Sequence, residues 1–286
     1  MPWLMLGLLA LIWGSSFILI KQGLAVFGPG EVGALRIVSA GLFLTPLAFP
    51  KLRALSRRQL STLFLIGLVG SFIPAFLFAL AQTRIASGLA GVLNATTPIF
   101  TLIIGALFFG IGIRTRSILG IIIGFVGVAI LILSGESSNL MDNFNAYALF
   151  VILATICYGI NVNVIKTKVS NLSSVTITGV SLVLVLPIAA TYLLGFTEFV
   201  PKLQAVEGAT RAMLFVVLLG VMGTALALIM FNRLVQIKTP VFAAQVTYLI
   251  PMVALLWGLA VDEKIFLGHF IGMAGILLGV YLANRK

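Results

Sequence analysis

Ten apolar runs, at 2–20, 31–49, 62–82, 87–109, 117–134, 145–165, 173–195, 211–232, 240–261 and 265–283, follow one another with only short turns between them. Each comes near the ~20 residues that a helix rising 1.5 Å per residue needs to cross about 30 Å of hydrocarbon. The expected fold is therefore all-α, a polytopic membrane protein of ten transmembrane helices. Composition excludes the alternative of a soluble domain. Hydrophobic residues make up 61% of the chain and charged residues 9%, against roughly 25% charged in soluble proteins.

The net charge of +11 raises the question of nucleic acid. The basic residues sit in the turns and form no patch or tail, so they are read as facing lipid headgroups, with no nucleic-acid partner. No stretch outside the spans is long enough for a separate soluble domain; the longest connections are 50–61, 135–144 and 196–210. The chain starts Met1-Pro2-Trp3 without a basic leader, so the first run is expected to be a retained helix. Its one cysteine, Cys157, excludes an intrachain disulfide.

A glycine and proline skeleton repeats. Gly67 to Gly105 lies on Gly220 to Gly258 without a gap at an offset of 153, matching Gly67/Gly220, Gly70/Gly223, Phe78/Phe231, Ala90/Ala243, Pro98/Pro251 and Leu102/Leu255. Trp13-Gly14-x-Ser16 with Lys21 matches Tyr158-Gly159-x-Asn161 with Lys166 at offset 145. Leu119-Gly120-x3-Gly124-x2-Gly127 matches Leu267-Gly268-x3-Gly272-x2-Gly275 at offset 148. Duplicated bundles are a common way of building transporters. The expected organisation is one five-helix repeat at 1–134, a connecting loop at 135–144 and a second repeat at 145–286.

Five crossings are odd in number, so the second repeat starts from the opposite membrane face and is inverted relative to the first. Of the 18 Lys and Arg, 12 fall after spans 2, 4, 6 and 8 or at the C-terminus, and 5 on the other side. By the positive-inside rule both termini are cytoplasmic. Small residues three or four apart let helices approach closely in lipid, which marks spans 5 and 10 for packing on each other or across a homodimer.

Counting inward locates the polar chemistry. Pro98 and Pro251 each lie 11 residues into their span, about 16 Å deep and near the midplane. A proline inside a helix lacks the amide hydrogen and pushes away the carbonyl four residues earlier, here those of Asn94 and Thr247. Both prolines are expected to kink their helices. Trp13 and Tyr158 approach similar depth from opposite faces, too deep for an interfacial belt. They are either core residues bonded to nearby backbone or walls of a cavity. Gln245, Tyr248 and Met252 fall on one face of span 9, and Gly91, Asn94 and Pro98, flanked by Thr97, do so on span 4. The candidate substrate-binding residues are Trp13, Ser16, Asn94, Thr97, Tyr158, Asn161, Gln245, Thr247 and Tyr248.

Apart from Glu31 and Arg211 at the very start of spans 2 and 8, Arg36 in span 2 and His269 in span 10 are the ionisable residues within the spans besides Tyr and Cys. Arg36 is expected to extend outward to the interface. No carboxylate lies at mid-membrane, so the acid relay of a proton-coupled pump is missing. H-E-x-x-H, G-x-S-x-G and paired intramembrane aspartates are absent, which argues against an intramembrane enzyme. No charge ring marks a channel. No catalytic residue, metal ligand or cofactor is expected.

Trp13-Gly14-Ser15-Ser16-Phe17, the Leu35-Arg36 pair, the Pro98 and Pro251 segments and the Leu-Gly-x3-Gly-x2-Gly ends of spans 5 and 10 together resemble the EamA group of the drug/metabolite transporter superfamily. The resemblance covers essentially the whole chain. It implies two inverted five-helix repeats, a central cavity walled by the first four helices of each, and movement of small organic molecules such as amino acids, often outward. The group's four-helix relatives use a glutamate in the first helix for proton exchange; Trp13 to Ser16 supply none. Asp262-Glu263 after span 9 also departs from the first repeat, which has Phe109 and Gly110 there.

The expected function is a carrier of neutral or zwitterionic metabolites, amino acids first, working by alternating access in a bacterial inner membrane. Its partners are a small-molecule substrate and membrane lipids, and it acts as monomer or homodimer. An exporter of amphipathic drugs or nucleoside-like solutes is the alternative, with an intramembrane enzyme or channel behind it.

Overall fold

A computed structural model of the protein describes residues 2–85, 87–112, 114–133, 146–259 and 267–284. The expected connecting loop at 135–144, the Asp262-Glu263 turn and the basic C-terminal pair Arg285 and Lys286 lie outside the described residues. All regular structure among those described is helical. The helices are α1 (Pro2–Leu24), α2 (Pro29–Leu52), α3 (Arg57–Gly67), α4 (Ile73–Ala81), α5 (Ser87–Asn94), α6 (Thr97–Phe109), α7 (Thr115–Leu133), α8 (Ala148–Lys168), α9 (Ser174–Gly195), α10 (Phe199–Ala205), α11 (Ala209–Leu218), α12 (Ala227–Ile237), α13 (Pro240–Ala244), α14 (Val246–Leu259) and α15 (Leu267–Asn284).

Six stretches among the described residues have the length and hydropathy to cross a membrane: Pro2–Leu24, Pro29–Leu52, Arg57–Ala81, Ala148–Lys168, Ser174–Gly195 and Ala209–Ile237. Shorter apolar helices, Thr97–Phe109, Thr115–Ile130, Pro240–Val253 and Leu267–Ala283, occupy the places of the other four expected spans. The chain is a polytopic all-helical membrane protein. Four spans are interrupted. A π-helical turn at Leu68–Phe72 joins α3 to α4, and a second at Leu219–Leu226 joins α11 to α12. Turns at 95–96 and at Gln245 divide the expected spans 4 and 9. The connection at 196–210 contains α10, whose Lys202 reaches the buried carboxylate of Glu31 at 2.8 Å near the start of α2.

Matched helices pack antiparallel. A Cβ on Gly127 of α7 would lie 2.6 Å from the backbone nitrogen of Ile276 in α15, while Gly124 faces Gly279 and Gly120 faces Ala283. In lipid no hydrophobic effect drives helices together, so this close backbone approach supplies the dispersion contacts. Of the two partners expected for these glycine faces, the structure shows each other. Helices α2 and α9 do the same, Gly41 against Leu186 and Gly179 against Ala48.

Helix α1 runs antiparallel to α8. Near its start, Met5 and Leu6 share a core cluster with Ile165 and Val169; near its end, Phe17 joins Val151 and Ala154. The first of these clusters is the larger. It also gathers Leu234, Val235, Phe242 and Ala243, so the end of the bundle holding the start of α1 is densely packed.

Candidate substrate cavity

The break between α5 and α6 has a local cause. Pro98 stands in the first turn of α6, where a missing amide hydrogen costs nothing. The chain therefore ends α5 at Asn94 and opens a new helix, so Pro98 starts a helix where the sequence led us to expect a kink. The carbonyl oxygen of Asn94 accepts a hydrogen bond from the Thr97 hydroxyl at 2.7 Å. In the second repeat the break comes earlier, at Gln245, and Pro251 lies inside α14. The Thr247 hydroxyl there donates to the carbonyl of Ala244 at 2.9 Å across the break.

These breaks and the two π-turns surround a cavity of about 90 Å³, room for a few waters or one small solute. Seven of the nine expected residues line it: Trp13, Ser16, Asn94, Thr97, Tyr158, Asn161 and Thr247. Its walls repeat across the two halves. Trp13 tilts against Phe231 with ring centroids 5.2 Å apart, and Tyr158 stacks on Phe78 at 6.1 Å; all four residues belong to the matched marks of the sequence. Gly70 of one π-turn abuts the side chain of Asn161, and its counterpart Gly223 abuts Ser16. A Cβ at Gly70 would fall 2.6 Å from Asn161 Nδ2, so only glycine leaves the amide in place. The Trp13 indole donates to the Gly223 carbonyl at 2.7 Å. It is thus both bonded to backbone and a cavity wall.

Gln245 and Tyr248 do not line the cavity. Both are fully buried. Tyr248 turns to α7, where its hydroxyl donates to the Ile121 carbonyl at 2.9 Å and its ring lies against Gly124. The face shared by Gln245, Tyr248 and Met252 assumed a continuous helix. The break at Gln245 removes that register and aims Ala244, Val246, Thr247 and Ile250 at the cavity.

The resemblance implied that spans 2, 3 and 8 wall the cavity, but no residue of theirs was among the candidates. Gly70, Ser71, Gly223 and Thr224 line the cavity from the π-turns, and Arg36 lines it from α2. Arg36 does not extend outward to the interface: its Nε donates to Thr224 Oγ1 at 2.7 Å. Its helix carries it past the π-turn of α11 and α12, and that hydroxyl fixes the guanidinium inward. The offset-153 glycines were the available signal, because Gly70 and Gly223 mark both π-turns. Among the described residues no three His, Cys, Asp or Glu side chains gather as metal ligands.

Residues 1–133 and 145–285 each match the model of the EamA-like transporter family. An "Uncharacterized transporter" of Archaeoglobus fulgidus is 27% identical over 288 residues, 99% of this chain and 99% of its own. The "Uncharacterized inner membrane transporter YedA" of Escherichia coli (strain K12) is 28% identical over 298 residues, covering 97% of this chain and 91% of its own. A "Probable amino-acid metabolite efflux pump" of the same strain is 32% identical over 128 residues, 44% of this chain and 40% of its own. With the family's model matched in both halves, the chain belongs to the EamA-like transporter family and is a membrane transporter.

Proposed function

We propose that the protein moves small neutral or zwitterionic metabolites, amino acids first and in the direction of export, across a bacterial inner membrane by alternating access around this cavity. The observation that carries the reading is the convergence of polar and aromatic residues from both halves at four interrupted helices. Irregular backbone at membrane depth is tolerated where it lines a cavity, and transporters place their sites at such breaks. The relative named as an amino-acid metabolite efflux pump puts amino acids ahead of drugs and nucleoside-like solutes.

The antiparallel packing of α2 on α9 and of α7 on α15 supports two inverted five-helix repeats, 1–134 and 145–286, and the distribution of Lys and Arg supports cytoplasmic termini. Inverted repeats exchange shapes when the site changes face. The matched lysines support such an exchange. Lys166 Nζ donates to the carbonyls of Val235, Gln236 and Lys238 at 3.2, 2.9 and 2.8 Å, tying the end of α8 to the end of α12. Lys21, its counterpart at the opposite end of the bundle, is exposed and not seated in this way. The offset-153 images of those carbonyls are Gln82, Thr83 and Ile85, which Lys21 takes up in the exchanged state. On this reading the conformer described is the one shut at the Lys166 end.

Purified protein in liposomes preloaded with an unlabelled L-amino acid is expected to accumulate the same labelled amino acid transiently and to return it chemically unchanged, with saturable rates. Conversion of the solute would point to an enzyme. Non-saturable flux without counterflow would point to a pore.

A further inference from the structure

We infer that Arg36 recognises a carboxylate, so that the solute taken up by the cavity carries one; this rests on the reading of the cavity as the transport site.

The inference starts from a charge balance. A guanidinium inside a membrane bundle is costly and is held by an anion or by a full set of acceptors. Arg36 has a single hydrogen bond to the described residues, from Nε to Thr224 Oγ1. Four N–H donors of the fork therefore remain to be matched: an Arg carries five, and Nε supplies one. Protein carboxylates do not match them. The seven acidic residues are Glu31, Glu136, Asp142, Glu198, Glu207, Asp262 and Glu263, and all but Glu31 fall in connections between spans. Glu31 is engaged by Lys202 Nζ at 2.8 Å and by the backbone nitrogen of Gly28 at 2.5 Å. Its position at the start of α2 serves the helix terminus and the α10 connection.

The same cavity holds a second unmatched group. The Asn161 side-chain oxygen is buried without a hydrogen-bond partner, although a buried polar group is normally paired. A site that keeps a cation and an amide unpaired is completed by a solute that supplies an anion and a donor. The planar fork of Arg suits a carboxylate, which it can hold through two parallel bonds. Position 36 is also where the halves differ: at the offset of 145 that matches Trp13 with Tyr158, Leu35-Arg36 in α2 falls on Val180-Ser181 in α9, and the matched glycines Gly220 and Gly67 abut the carbonyls of Arg36 and Ser181. One cationic end in an otherwise symmetric cavity gives the solute a single orientation.

The test measures stabilisation of the purified protein against heat by each L-amino acid, by the carboxamide of every amino acid that binds, and by simple monocarboxylates such as benzoate and 4-methylpentanoate. In the wild type the acid is expected to bind about tenfold or more tighter than its amide, the difference of one charge-assisted hydrogen-bond pair. In Arg36→Gln the preference is expected to fall to within about threefold of unity, because affinity for the acid drops and that for the amide does not. A purely structural role would weaken acid and amide together. If Arg36→Gln does not accumulate, Arg36→Lys carries the test: affinity for the acid drops and that for the amide holds. Amides binding as tightly as acids, or discrimination surviving Arg36→Gln, would overturn the inference. Binding of monocarboxylates with no amino acid bound would support Arg36 and overturn the amino-acid reading. No binding by any carboxylate would overturn both.

Discussion

Asn94→Ala and Trp13→Ala are each expected to lower saturable flux by roughly 10- to 100-fold, the loss of one or two well-placed hydrogen bonds at the site, in protein that still inserts. Asn94 is the last residue of α5 and presents its amide to the cavity, while its carbonyl is already held by Thr97. Removing the side chain therefore leaves the helix break intact. Trp13 has two roles, and a companion variant separates them. Trp13→Phe keeps a ring against Phe231 but loses the bond to the Gly223 carbonyl. If the indole matters as a wall, Trp13→Phe keeps most of the flux; if it matters by holding the π-turn, Trp13→Phe behaves like Trp13→Ala. Flux in liposomes and the unfolding midpoint in detergent, measured on the same preparations, decide between these. Wild-type flux from both alanine variants would remove the site assignment.

Gly127→Leu is expected to give the largest loss of stability. A Cβ there would meet the nitrogen of Ile276 at 2.6 Å and the carbonyl carbon of Gly275 at 2.8 Å, both backbone atoms that cannot rotate away. Overpacking against side chains costs about 1–3 kcal/mol, and here α7 and α15 must separate along their shared face. A fall of roughly 10 °C in the unfolding midpoint is the expected result. Gly7→Leu is the control, since a Cβ at Gly7 meets nothing within 4 Å. Equal midpoints for the two variants would mean that the seam between α7 and α15 does not hold the halves together.

The helices were legible because hydrocarbon permits so little else, and the matched marks were legible because residues at corresponding places of the two halves meet in the bundle. Trp13 with Phe231 and Tyr158 with Phe78 illustrate this: each pair joins a mark of one repeat to a mark of the other. What failed was register. Helical spacing placed Tyr248 beside Gln245 on one face, and the break between α13 and α14 sent Tyr248 to α7. Proline announced both breaks without fixing them, since Pro98 begins a helix and Pro251 lies six residues beyond its break. The π-turns were hidden more deeply. An inserted residue in a helix leaves hydropathy unchanged, and only the repeated glycines at 67, 70, 220 and 223 hinted at it. Arg36 shows the limit of counting depth alone. A long side chain near a helix end can reach the interface, and a hydroxyl on a neighbouring π-turn drew it inward.

Access to the cavity from each membrane face tests the central claim most directly. Ser71 lines the cavity from the first π-turn, and with Cys157→Ser in the background, Ser71→Cys gives one reporter thiol. An impermeant thiol reagent is applied to one face at a time in right-side-out and inverted vesicles, with and without Lys166→Met. Alternating access predicts modification from both faces, with Lys166→Met raising the rate from the face that Lys166 closes. Modification from one face alone under every condition would contradict it, leaving a blind pocket in place of a transport path.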